Sequence, residues 1–272
     1  MAYSNSGGNS RLGCGGLIIG LIMAGFALFQ YYGNTQMNPF TGENQKVSLT
    51  HDQEVQLGLQ SAPQMAAQHG GLHPDENAQA FVDRVGIKLV QSSVAKQTPY
   101  DFDFHLLADP NVVNAFALPG GQVFITAALY GRLQSEDQLA GILGHEIGHV
   151  IERHGAERIA KQELSQGLTG AVVAATGDYN SAQYAKMISN TINMKYGRDQ
   201  ELESDGWGVK LMIDAGYDPD ALKEVMKILE AASGGQSKPE FQSSHPSPEN
   251  RIGRIEEAIQ MVKQGIDPTQ KR

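Results

Sequence analysis

Residues 135–155 read SEDQLAGILGHEIGHVIERHG and contain two histidines, His145 and His149, that are four positions apart. The capping box SEDQ at the start predicts a single helix that ends at about residue 154. Four residues of α-helix turn the chain by about 400°, so both imidazoles project from one face, about 6 Å apart along the axis. Such a pair can hold one tetrahedral zinc ion, and Glu146 can reach a water on that metal.

The residues after this pattern separate the classes of metal site. A metzincin would carry glycine and histidine three and six residues after the second histidine, where this chain has Glu152 and Gly155, so that class is excluded. His154 lies about 140° around the helix from His149, which predicts a supporting position or a surface position. The alternative for the whole pattern is two surface histidines on an amphipathic helix.

An acidic segment further along the chain offers a third ligand. Residues 198–210 read RDQELESDGWGVK, in which Glu201 and Asp205 are one helical turn apart. Glu201 can therefore ligate the metal while Asp205 accepts a hydrogen bond from a ligand imidazole. Glu203 is expected on the opposite face of the helix. The alternative interpretation is a solvated helix face, which the acidic run by itself fits equally well.

The composition of the 272-residue chain excludes other classes of protein. A formal net charge of -9 argues against nucleic acid as a partner, because such binders need a basic surface. The single cysteine, Cys14, excludes an intrachain disulfide, a cysteine zinc finger and a CxxC redox motif. Any metal must therefore bind histidine and carboxylate side chains.

An apolar stretch near the amino terminus predicts one transmembrane anchor over residues 12–32. A cleaved secretory signal is the alternative, although its apolar region is usually about 7 to 15 residues long. Arg11 before the span and Glu43, the first charge after it, predict a cytoplasmic amino end and an extracytoplasmic body. Small residues spaced by four along the span could pack two anchors together, and the oligomeric state stays open.

The body after the anchor follows the order helices, small sheet, helices. Apolar periodicity predicts helices over 50–68 and 75–91. Alternation and turn residues then predict three short strands, over residues 101–107, 112–118 and 122–126. From Ser135 onward the pattern is mostly helical. The expected fold class is α+β, mostly helical, with one core.

Four motifs together carry a family resemblance. HEIGH, the later ELESD, NAFALPGGQVFIT before them and SSHPSPENRI near the end resemble the HtpX and CAAX-prenyl-protease family of zinc metallopeptidases, in particular its bacterial extracytoplasmic members, here without their helical repeats. The resemblance implies a zincin-type domain with one zinc ion per chain, held by His145, His149 and Glu201. It also implies that Glu146 is the catalytic glutamate and that Asp205 supports a ligand histidine.

The resemblance also implies a substrate-binding strand. An extended polypeptide would add as a further strand to an edge strand at residues 114–118, through the backbone of Asn114, Ala115, Phe116 and Ala117. Backbone contacts ignore side-chain sequence, which suits unfolded or misassembled clients. The alternative is an ordinary strand and hairpin.

The resemblance places His245 near the active site, in a loop over residues 233–247 that precedes a helix with Ser247 as its cap. A neutral imidazole there could occupy the open position on zinc, or it could swing aside and donate a hydrogen bond to the developing oxyanion. The alternative is a loop histidine that only positions the following helix. Arg251 could assist the oxyanion or pair with a carboxylate.

These inferences predict a membrane-anchored zinc endopeptidase that hydrolyses unfolded or misassembled envelope proteins, in the inner membrane with its catalytic domain in the periplasm. One alternative is a noncatalytic, membrane-tethered, zinc-containing peptide-binding or chaperone-like protein, against which the intact Glu146 argues. Another is a zinc hydrolase acting on other bonds. The predicted organisation is an N-terminal tail, the anchor, a linker, a metallopeptidase domain and a C-terminal tail, over residues 1–11, 12–32, 33–48, 49–264 and 265–272.

Overall fold

The computed structural model describes residues 14–176, 196–232, 240–246 and 250–269 and has the predicted α+β fold. Helix α1 (Cys14–Gly33) is, within these ranges, the one helix long and apolar enough to cross a membrane. Large apolar side chains on it are exposed, among them Ile22, Phe26 and Phe29. The prediction of one apolar helix ahead of the body is therefore confirmed.

A two-stranded antiparallel sheet follows α1. It consists of β1 (Thr35–Met37) and β2 (Asn44–Lys46) and lies in the segment predicted as a linker. Helices α2 (His51–Gln68) and α3 (Glu76–Gln91) come next, close to their predicted bounds. The side chains of Thr50 and Asp75 cap their first turns, because each accepts hydrogen bonds from free backbone amides there.

The predicted small sheet has three strands in the order β3-β5-β4. Strand β3 (Asp103–Leu107) is parallel to β5 (Gln122–Thr126), and β4 (Ala115–Ala117) pairs with β5 as an antiparallel hairpin. This order leaves β4 at an edge, in agreement with the predicted edge strand. The buried face of the sheet packs with α3 and the following helices around one core.

Apart from a short 3₁₀ helix at Val94–Gln97, the remaining described elements are α-helices, as predicted. They are α4 (Ala127–Tyr130), α5 (Glu136–Ile151), α6 (His154–Thr176), α7 (Arg198–Asp214), α8 (Asp220–Ala232), α9 (Glu240–Ser244) and α10 (Arg251–Lys263). The helix expected to run to residue 154 instead ends at Ile151, because Arg153 adopts a left-handed backbone with φ of 55°. His154 consequently begins a new helix. The predicted cap Ser247 lies outside the described residues.

Glycines allow α5 and α7 to cross at close range. A Cβ atom on Gly144 would lie 3.2 Å from the Cα atom of Gly208, and one on Gly148 would lie 2.8 Å from the Cβ atom of Trp207. Larger side chains at these positions would push the two helices apart. The crossing brings the histidines of α5 opposite the carboxylates of α7.

The sheet of β1 and β2 caps the carboxyl end of α5. The side-chain amides of Asn38 and Gln45 donate hydrogen bonds to the carbonyl oxygens of Ile151 and Glu152, the first at 2.8 Å. These carbonyls belong to the end of a helix, where backbone acceptors lack partners within the helix. The residues between the anchor and the body therefore help to fix the end of the helix that carries HEIGH.

Arg153, at the break between α5 and α6, is buried and tied to the same part of the chain. Its Nε atom donates to Oε1 of Glu54 at 2.8 Å, and its other nitrogens donate to Gln36 Oε1 and to the carbonyl oxygen of Leu49. Glu54 is itself 1% exposed. A buried guanidinium with all three nitrogens hydrogen-bonded holds the strained residue in place.

Helices α1 and α6 pack against each other along their length. A Cβ atom on Gly20 would lie 2.6 Å from the carbonyl oxygen of Ala171, so the backbones nearly touch. Gly16 faces Ala174 in the same way, at 2.8 Å. The small residues that could have paired two anchors thus contact a helix of the same chain.

Candidate metal centre

Three elements bring four buried ligand groups together. His145 and His149 come from α5, Glu201 comes from the first turn of α7, and His245 follows α9. The two Nε2 atoms of the α5 histidines are 3.1 Å apart, and they lie 3.5 and 3.6 Å from the carboxylate oxygens of Glu201. The structure therefore assembles the three predicted ligands in one place.

The separations of these atoms fit a tetrahedral metal ion. Zinc bonds of about 2.0–2.2 Å to nitrogen and oxygen give a tetrahedron with edges of about 3.3 Å. The distance between the two Nε2 atoms, and the distance from each of them to one oxygen of Glu201, are close to that length. His245 Nδ1 lies 3.4 Å from His145 Nε2 and 3.1 Å from Glu201 Oε1, so it is also at ligand distance. Among the described residues, Glu201 Oε2 and His245 Nε2 have no hydrogen-bond partner, as expected where a further group binds.

Glu146 is buried beside this cluster with both carboxylate oxygens unbonded by any of the described residues. Its Oε1 atom is 3.7 Å from His245 Nε2. Burial raises the pKa of Glu146, and electrostatic interactions with His245 and His145 only partly offset this. A carboxylate with a raised pKa and free oxygens can take up and release a proton.

Asp205 and Arg251 support the first histidine. Asp205 Oδ1 is 2.9 Å from Nδ1 of His145, which leaves the Nε2 lone pair of that ring for a metal. Arg251 binds Asp205 in a bidentate manner, from Nε at 2.7 Å and from Nη2 at 2.8 Å. Of the two predicted roles for Arg251, the structure shows pairing with a carboxylate.

The charges of the cluster compensate one another. Burial alone would raise the pKa values of Glu201 and Asp205, but His245 and His145 beside Glu201, and Arg251 beside Asp205, lower both. Burial lowers the pKa of His149 well below its usual value, which favours the neutral ring that binds metals. Burial also acts to lower the pKa of His145, but the neighbouring carboxylates of Asp205 and Glu201 raise it to about 9.

The second histidine has a supporting chain that the sequence analysis left partly open. His149 Nδ1 is 2.9 Å from Nδ1 of His154, and His154 Nε2 is 2.9 Å from Oε2 of Glu203. Because the chain breaks at Arg153, the His154 ring turns back toward α5 and takes the supporting position rather than the surface position. Glu203 lies on the face of α7 opposite Glu201, and it contacts His154 because that residue begins α6 beside it.

Two aromatic residues that the sequence did not single out complete the cluster. Tyr196 stacks on the ring of His149 with 4.0 Å between ring centroids, and Phe241 stacks on His245 at 4.4 Å. The backbone amide of Tyr196 donates to the carbonyl oxygen of Ser244, which ties the two aromatic segments together. The ligand group is closed over by these residues, and its members are at most 2% exposed.

The predicted substrate strand lies next to the cluster. Asn114 is buried just before β4, Ala115 and Ala117 are buried in it, and Phe116 is half-buried and stacks on Phe124. Strand β4 also packs against α5, the helix of the two ligand histidines. The backbone amide of Phe241 donates to the carbonyl oxygen of Val113 at 3.2 Å, so α9 borders the same edge.

Replacing His154 with alanine should lower the affinity for Zn²⁺ by about 10–100-fold, which is typical of losing a partner that orients a ligand histidine. The measurement is competition with a chromophoric chelator. His105→Ala is the matched control, because the His105 ring bonds Gln122 in the sheet. Equal affinity of the His154 variant and the control would show that the chain from His149 to Glu203 does not orient the ligand.

Comparisons with known proteins identify the family of this chain. The model of the family described as Peptidase family M48 matches residues 76–259. The chain is 29% identical over 248 residues to the mitochondrial metalloendopeptidase OMA1 of Schizosaccharomyces pombe, covering 88% of this chain and 71% of that protein. It is 28% identical over 226 residues to the beta-barrel assembly-enhancing protease of Escherichia coli, covering 79% of this chain and 45% of that protein. The family match covers more than half of this chain, which therefore belongs to peptidase family M48 and is a metalloendopeptidase.

Proposed function

We propose that this metalloendopeptidase uses one zinc ion per chain, held by His145, His149 and Glu201, with Glu146 as general base. The observation that carries the proposal is the convergence of the two Nε2 atoms and the Glu201 carboxylate at 3.1–3.6 Å, with an unbonded buried carboxylate beside them. A metal that served only to hold the fold would have no need of Glu146. The geometry thus favours catalysis over a noncatalytic zinc-containing binding protein.

The chemistry follows from these groups. When bound, zinc supplies a Lewis acid for the peptide carbonyl and lowers the pKa of water toward about 7. Glu146 takes a proton from the attacking water, whose oxygen bonds to the carbonyl carbon, and later delivers that proton to the leaving amine. Asp205 and His154 hold the ligand rings in orientation throughout.

The edge of β4 supports binding of an extended polypeptide. The backbone amide of Leu118 donates to the carbonyl oxygen of Gln122, and the carbonyl oxygen of Asn114 accepts from the amide of Thr126. In an antiparallel pair, residues bonded to the partner strand alternate with residues whose backbone groups point away from it. The amide and carbonyl groups of Ala115 and Ala117 therefore face the free edge, where a substrate strand would bond to them. Recognition through the backbone fits unfolded or misassembled proteins, which expose extended segments.

The body is proposed to work in the periplasm, held at the inner membrane by α1. Support comes from the charge order, with Arg11 before the span and Glu43 after it. The name of the Escherichia coli relative refers to β-barrel assembly, which supports envelope proteins as the clients. The chain spans less than half of that relative.

His245 is proposed to gate the centre by occupying the fourth position on the metal. Its Nδ1 atom, 3.1 Å from Glu201 Oε1 and 3.4 Å from His145 Nε2, supports ligation over contact with an oxyanion. Because α9 also touches the substrate edge at Val113, opening of this segment would free the metal and the edge together. A closed centre would limit cleavage of correctly folded neighbours.

Glu146→Gln should retain stoichiometric zinc and lose casein hydrolysis by about 10²–10⁴-fold, since the amide cannot accept the proton. Glu201→Ala is the companion variant, and it should lose zinc as well as activity. Zinc content is measured by atomic emission and hydrolysis by peptide release. A Glu146→Gln variant that still cleaves casein at the original rate would remove the general-base role.

His245→Ala should increase casein turnover while zinc content and melting temperature stay unchanged, because the fourth position on the metal becomes free for water and substrate. The matched control is Gln242→Ala on α9, which disturbs the same segment through its bond to the Leu229 carbonyl. Lower turnover in the His245 variant alone would instead assign the ring to the oxyanion.

The orientation is tested by adding protease to intact spheroplasts. The body should be digested without lysis of the inner membrane, and an inner-membrane protein with a cytoplasmic domain serves as the protected control. Survival of the body until lysis would place it in the cytoplasm.

A further inference from the structure

We infer that the second half of α6, residues 164–176, lies inside the bilayer beside α1, so that a pair of helices rather than a single helix anchors the chain. The inference rests on the proposed membrane span of α1, and it is independent of the peptidase chemistry. It assigns a lipid-facing surface to a helix that also begins at the metal centre, at His154.

The composition of α6 changes abruptly along its length. Its first half carries the charged residues Glu157, Arg158, Lys161 and Glu163, whereas residues 164–176 read LSQGLTGAVVAAT without a charge. At about 1.5 Å per residue this second half is about 20 Å long, which is two-thirds of a hydrocarbon core of about 30 Å. It is shorter than a full membrane span, but it is long enough to enter the bilayer and to reach most of the way across it.

The contacts with α1 set the depth of this half. The two helices are antiparallel, because Ala27 of α1 meets Gly167 of α6 while Gly16 and Gly20 meet residues near the end of α6. Thr176, where α6 ends, is therefore level with the start of α1. If α1 crosses the bilayer, a helix whose backbone nearly touches it from Gly16 to Ala27 lies at the same depth.

The polar boundary falls at the same level on both helices. A cavity of about 490 Å³ between them is lined by Gln30 of α1, by Asn34 directly after α1 and by Glu163 of α6, together with the apolar Phe26 and Leu164. The last charge of α6 thus lies beside the polar end of the apolar helix. Both helices become apolar in the same direction from this cavity, as expected at a membrane surface.

Two threonine hydroxyls in the second half of α6 form hydrogen bonds within the helix. Thr169 Oγ1 donates to the carbonyl oxygen of Ser165, and Thr176 Oγ1 donates to that of Val172, each at 2.8 Å. This bonding removes the cost of burying a free hydroxyl in hydrocarbon. Val172, 39% exposed, offers lipid an apolar surface.

The experiment uses the full-length chain in membranes, in a Cys14→Ala background that removes the single cysteine. One cysteine is introduced as Val172→Cys, and two controls are Lys161→Cys in the charged half of α6 and Ile22→Cys on α1, where the side chain is 66% exposed. Each is treated with a charged, membrane-impermeant maleimide. A fluorophore attached to each cysteine is then tested for quenching by nitroxide-labelled phosphatidylcholine in reconstituted vesicles.

Insertion of α6 is supported if the cysteines at positions 172 and 22 both escape labelling and are both quenched by the lipid nitroxide. The cysteine at position 161 should be fully labelled. Labelling at 172 equal to that at 161, or protection at 172 without lipid quenching, overturns it. Labelling at 22 overturns the membrane span of α1 and this inference with it. Casein hydrolysis by each variant is measured separately, so failure of the peptidase proposal is distinguishable from failure of this one.

Discussion

The close crossing of α5 and α7 is the contact on which the metal centre depends. Gly144 and Gly148 on one helix meet Gly208 and the backbone of Ser204 on the other, with no room for larger side chains. Helix α5 carries the two histidines and α7 carries Glu201, so the distance between the helices decides whether these side chains meet. A shift of one helix by about 1 Å would change the distances between the ligand atoms, which would then no longer match the edge of about 3.3 Å of a tetrahedral zinc site.

Pairing of the charged groups around this crossing explains how the centre can be buried away from solvent. Asp205 is paired with Arg251, and Glu201 lies among imidazoles, so each carries compensation for its loss of water. Glu146 is different, because none of the described residues bonds its oxygens. Its unfavourable burial is maintained by the surrounding packing, and it leaves an unbonded carboxyl group next to the proposed ligands.

Much of this centre could be predicted from the sequence because it depends on helical spacing. One turn of helix relates His145 to His149 and Glu201 to Asp205, and periodicity fixes such relations before any tertiary contact is known. The contact between His149 and His154 could not be found in this way, since it requires the left-handed residue that ends α5. The stacking of Tyr196 and Phe241 depends likewise on segments that meet only in the folded chain.

The sheet of β1 and β2 has a consequence for the smallest fragment that can fold. The family match starts at residue 76, yet Asn38, Gln45 and Glu54 satisfy the end of α5 and the guanidinium of Arg153. A fragment cut at the start of the match would leave these buried groups without partners, at a cost of about 1–3 kcal/mol for each. The autonomous folding unit therefore extends toward the proposed anchor, well beyond the start of the family match, and a water-soluble version must retain the residues from β1 onward.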